Sequence, residues 1–162
     1  MAIALFIIAL VVLIISSYTD IQDGTIPNEI VLPAIVLGFV LQIVNLFIGG
    51  ITFWDLIFRL LLIAATFFFY EGFIGGGDAK VFMMLVITQG IYKALATLAI
   101  ASLMVIAYSF YKDPKGYKES IKSQLMSLLT KTVPTGKGEG KTVKLCPLML
   151  VGFIITNIIF GI

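Results

Sequence analysis

The first nineteen residues, MAIALFIIALVVLIISSYT, contain no charged side chain. Residues 1–18 as a helix are about 27 Å long at about 1.5 Å per residue, close to the thickness of a bilayer's hydrocarbon core. A secretory signal peptide would begin with a basic stretch, and this segment has none. Similar apolar runs recur to the end of the chain. Only 12% of the 162 residues are charged and mean hydropathy is +1.11, whereas a soluble domain of this size carries about 25% charge. So small a globule could not hide this much apolar surface. The expected fold is all-α and polytopic, set in a lipid bilayer.

Polar or glycine-bearing breaks divide the chain. Spans are expected at about 1–18, 30–48, 54–70, 79–92, 94–111 and 145–162, forming one domain over residues 1–162. Residues 20–29 read as a polar loop with a turn at Asp23-Gly24, followed by a helix start at Thr25-Ile26-Pro27, with Thr25 as the cap and Pro27 in the first turn. Gly49-Gly50 ends the second span, Trp54 is placed as an interfacial anchor, and Gly90 and Lys93 separate the fourth span from the fifth. If residues 79–111 were one helix, the count would fall to five. No internal repeat is evident.

Residues 112–144 hold eight of the eleven basic residues, from Lys112 to Lys144. Lysine-rich loops stay cytoplasmic. Counting back over six spans puts the 71–78 and 19–29 loops on the cytoplasmic side and both termini outside. Within the lysine loop, Tyr117, Ile121, Leu125, Leu128 and Leu129 recur at helical spacing, which reads as an amphipathic surface helix or a solvated connector. The TVPTGKGEGK stretch after it has linker composition.

There is no histidine and one cysteine. That excludes Ser-His and Cys-His catalysis, HExxH zinc chemistry and a disulfide framework. No metal, cofactor or nucleic-acid partner is expected. Carboxylates must carry any chemistry. The six-span plan brings Asp20, just after the first helix, and Asp78, at the entry to the fourth, to one membrane edge. A single aspartate there is ordinarily a cap or turn residue. Two converging in a chain with few charges point to function. Close carboxyls cannot both ionise easily, so one keeps its proton. The ionised one can take a proton from water while the other hydrogen-bonds an amide carbonyl. Gly75, Gly76 and Gly77, lacking a Cβ, would let an extended substrate backbone approach.

Two stretches carry a resemblance. Gly75-Gly76-Gly77-Asp78-Ala79-Lys80 fits the GxGD motif of aspartic membrane proteases. Residues 20–28, DIQDGTIPN, resemble the block around the first acid of type IV prepilin peptidases and archaeal preflagellin peptidases. Cys146-Pro147 through Gly152 resembles, more loosely, the opening of that family's last helix. The resemblance implies that Asp20 and Asp78 are the catalytic pair. It also implies that the substrate is a prepilin, preflagellin (archaellin) or related pilin-like precursor, trimmed of its basic class III leader at the cytoplasmic membrane face. The chain resembles the compact form, without the Cys-x-x-Cys zinc domain of larger bacterial enzymes. In the larger enzymes that domain goes with a dual peptidase and N-methyltransferase activity, and the sequence leaves methylation open here.

Asp23, Glu29 and Glu71 read either as turn, cap and interface residues or as an acidic face that attracts a basic leader. Lys80 either tunes an aspartate or extends to lipid headgroups. Gln42 and Asn45 are expected to hydrogen-bond inside the bundle, and Cys146 to be a buried small residue. A phosphate-binding loop is excluded, because Asp78 stands where its lysine would be. The rival readings are an intramembrane GxGD protease of signal-peptide-peptidase type and a small cation-coupled transporter or channel subunit. A transporter would place its acids near mid-membrane.

Overall fold

The computed structural model describes residues 1–73, 76–112 and 144–161, with side chains in 1–68, 76–112 and 144–161. Glycine 75, the Glu71 side chain, the 117–129 amphipathic stretch and the 132–141 linker lie outside them. Among the described residues there are six helices: α1 Ala2–Asp23, α2 Asn28–Phe47, α3 Phe53–Phe73, α4 Gly76–Gln89, α5 Ile91–Lys112 and α6 Leu145–Phe160. Three of them, α1, α2 and α5, are long and apolar enough to cross a membrane, and α6 is a shorter apolar helix.

The helix α4 is the axis of the bundle. It touches α1, α2, α3, α5 and, slightly, α6. Every residue from Val81 to Thr88 is buried. An apolar helix with no polar face is stable only when surrounded. Its 14 residues span about 21 Å, so it is short because its neighbours, rather than lipid, cover it.

The outer helices separate two kinds of apolar face. On α1, Leu5, Ala9, Val12, Leu13, Ser16, Ser17 and Asp20 point inward, while Ile3, Ile7, Val11, Ile14, Tyr18 and Ile21 are exposed. In water such an exposed stripe would be an aggregation surface; against hydrocarbon it costs nothing. Inside, Phe6 of α1 stacks on Phe153 of α6 with centroids 5.2 Å apart. Close approach relies on glycine. A Cβ on Gly152 would meet the Thr97 carbonyl oxygen of α5 at 2.8 Å, and one on Gly38 would meet Ile87 and Thr88 of α4 at 3.1 Å. The α4–α5 break falls at Gly90, whose φ of 87° suits glycine, so residues 79–111 form two helices.

Two expectations about the helix ends are corrected. The first helix does not stop at Tyr18; it continues through Asp20 to Asp23 and ends on Gly24 at φ 68°, whose N–H donates to the Asp20 carbonyl at 3.1 Å. The polar residues 20–23 extend the helix because its i→i−4 bonds carry on until a residue able to turn left-handed ends them. The second correction is at α2, which is capped by Pro27 rather than Thr25, with Asn28 as its first residue. Gln42 behaves as expected: its amide donates to the Ile87 carbonyl at 2.8 Å and accepts from Asn45 at 3.4 Å.

Candidate active site

Asp20 lies on the inward face of α1, one turn before its end, and is 8% exposed. Asp78 lies in the first turn of α4, where the helix dipole favours a carboxylate. It precedes the apolar run of α4 and stands outside the three helices long enough to span. The packing of α1 on α4 brings the two acids together, and they interact electrostatically. Burial pushes the Asp78 carboxyl up to about 6 from its ordinary value of 3.8, and the charge of Asp20 adds to the rise. Asp78 therefore holds its proton to higher pH than an ordinary aspartate does, beside a second carboxyl.

Two further groups join the pair. The Ser17 hydroxyl and Cys146 thiol hydrogen-bond at 3.7 Å, tying α1 to the start of α6, and Cys146 is fully buried as expected. Cys146 also lies within electrostatic reach of both Asp78 and Asp20. Lys144, just before α6, donates from Nζ to the backbone carbonyl of Asp20 and, at 2.8 Å, to that of Ile21. Read by sequence, Lys144 was one of eight lysines in a loop. Its one distinguishing signal was its place directly ahead of the final apolar run.

The other expected residues are distributed differently. Asp23 and Glu29 are exposed near the same end of the bundle. Lys80 donates to the Asn28 side-chain oxygen at 2.6 Å, joining α4 to the start of α2, and forms no ion pair with either aspartate. Gly76 and Gly77 are helical, inside the first turn of α4, rather than part of the expected 71–78 loop. A Cβ on Gly77 would meet Ile26 side-chain atoms at 3.0 to 3.2 Å. Packing against the 24–27 connection is thus enough to account for glycine at that position. Among the described residues, no cluster of three or more His, Cys, Asp or Glu could hold a metal ion.

At the opposite end of α4 is a cavity of about 390 Å³ lined in part by Gln42, Asn45, Arg59, Gln89 and Lys93. Arg59, 8% exposed, donates from Nε and Nη2 to the one Asp55 Oδ2 at 2.9 and 2.6 Å and from Nη1 to the Ile87 carbonyl at 3.2 Å. Neither Asp20 nor Asp78 lines this cavity.

An all-helical bundle, with three helices long and apolar enough to cross a membrane and two acids in electrostatic contact, defines the class as a polytopic helical membrane protein. The chain belongs to the type IV leader peptidase family, whose profile matches residues 7–110, a stretch that includes both acids. It is thus a protease of leader-peptidase type. No curated protein and no solved structure matches the chain.

Proposed function

We propose that the protein is an aspartic endopeptidase that removes the short basic leader from prepilins, preflagellins or related pilin-like precursors at the cytoplasmic face of the cell membrane. The observation that carries this reading is the pairing of Asp20 with Asp78, with the Asp78 carboxyl raised to about 6 beside a second acid. In the proposed cycle the ionised carboxyl takes a proton from water as the water attacks the scissile carbonyl carbon. The protonated carboxyl hydrogen-bonds the carbonyl oxygen. The proton then passes to the leaving amine as the C–N bond breaks, and the dyad returns to its singly protonated state. The six-span plan with the lysine loop inside supports the cytoplasmic assignment, because residues 112–144 hold eight lysines. The exposed acids Asp23 and Glu29, with Glu71, are assigned to attraction of the leader's basic residues.

The test is cleavage of a leader-bearing pilin or archaellin precursor by the membrane-embedded protein. Wild type should release the trimmed product, and Asp20→Asn and Asp78→Asn should each abolish it. Full cleavage by either variant overturns the dyad.

A further inference from the structure

Among the described residues, two buried side-chain oxygen or nitrogen atoms have no hydrogen-bond partner: Ser16 Oγ and Asp20 Oδ2. Both belong to α1 and both lie on its inward face. They are four residues apart, so their Cβ atoms are about 5–6 Å from each other on one stripe of the helix. Ser16 is fully buried and Asp20 is 8% exposed.

A buried hydroxyl in a helix commonly bonds the carbonyl one turn back. Thr19 does so, donating to Ile15 and Ser16 at 3.2 and 3.1 Å, as do Thr66 and Thr88 at 2.8 Å. Ser16 does not. An unpaired buried hydroxyl carries an uncompensated desolvation cost, and a charged group carries a larger one. Two such costs one turn apart, at the base of the acid pair, are most simply relieved by one shared partner that can both accept and donate. Water is the smallest such partner, and buried waters occupy sites where polar groups converge.

We propose that Ser16 is a positioning residue for the dyad, bonded through a buried water to Asp20 Oδ2. The inference rests on the peptidase reading for its catalytic consequence. The water donates to Oδ2 and accepts from, or donates to, the Ser16 hydroxyl. This holds the Asp20 carboxyl by its buried oxygen and leaves Oδ1 outside that contact. A donor on the carboxylate favours its charged form. Other groups bear on the same residue: Asp78 of α4 and Cys146 of α6 interact electrostatically with its carboxyl, and Lys144 donates to its backbone carbonyl. The Ser16 contribution is separable because Ser16→Ala leaves all of these in place.

The experiment compares Ser16→Ala with wild type in three readouts on the intact protein in lipid. The proposal expects kcat for precursor cleavage to fall about tenfold for loss of one charge-assisted hydrogen bond. KM should be unchanged, and the acidic limb of the pH profile should move to higher pH. Independently of activity, pH-difference infrared spectra contain a carboxyl band that Asp20→Asn removes. Ser16→Ala should shift that band. Should Ser16→Ala keep wild-type kcat, pH limb and Asp20 band while raising the melting temperature, as removal of an idle buried hydroxyl would, the proposal is overturned. A shifted Asp20 band in a protein that cleaves no precursor would support the water link and overturn the peptidase reading instead.

Discussion

Lys144 holds the end of the helix that bears Asp20, with its ammonium on the backbone carbonyls of Asp20 and Ile21. The Asp20 carbonyl already accepts from Gly24 N–H, the Ile21 carbonyl lies in the last turn where intrahelical donors run out, and a cation there also complements the dipole. Asp20 itself bears a negative charge at the unfavourable end of α1, so Lys144 offsets a local electrostatic cost. It also ties the start of α6 to the acid, 124 positions away in sequence.

Replacing Lys144 with methionine should therefore destabilise the protein by about 1–2 kcal/mol, the value of charge-assisted hydrogen bonds at a partly buried site. It should also slow precursor cleavage. A thermal melt in lipid or detergent, run with the cleavage assay, checks both. An unchanged melting temperature would show that the Lys144 contacts contribute nothing.

The Asp78 carboxyl sets a pH dependence of stability. Its pKa is raised in the fold, so the folded protein binds this proton more tightly than the unfolded chain. The resulting stabilisation is fully present below the ordinary value of 3.8 and is lost as pH rises through about 6. Denaturation measured across that window should show stability falling with pH from this group. Asp78→Asn should remove the fall. Asp20→Asn should confine it to lower pH, because the repelling charge is gone.

Gly77→Ala tests the packing against Ile26. A Cβ at 3.0 Å from Ile26 forces a shift, and overpacking of this kind costs about 1–3 kcal/mol. The double variant with Ile26→Ala should recover much of that stability. Recovery of fold without recovery of cleavage would add a substrate contact at Gly77 to its packing role.

The acidic face is tested by substitution of all three of its members. Asp23→Asn, Glu29→Gln and Glu71→Gln together should raise KM for leaders rich in lysine and arginine and leave kcat nearly unchanged. The increase should shrink at high salt, since exposed charges are screened. Equal KM values for the triple variant and wild type would leave these residues as turn, cap and interface groups.

Much of this protein was legible before its fold. The uncharged run of residues 1–19 required a lipid-facing helix, since its apolar surface has no other solvent. Gly90 and Lys93 marked a break between the fourth and fifth spans, and the positive φ of Gly90 makes it, because a left-handed residue cannot continue a right-handed helix. The two acid-bearing motifs announced themselves in order. What the sequence could not show follows from packing. It did not show that α1 continues past Tyr18 to carry Asp20 inside the bundle, because residues 20–23 are polar and read as loop until their inward face has neighbours. Nor did it show Lys144 as different from seven other lysines, or Gly77 as a contact of Ile26. It also gave no sign that Ser16 and Asp20 share a buried stripe without partners. Composition and periodicity determined that the chain enters a membrane as helices, since they report each residue's preference for lipid or water. Which side chains meet at the acids depends on how α1, α4 and α6 pack, and that is decided by contacts between residues far apart in the chain.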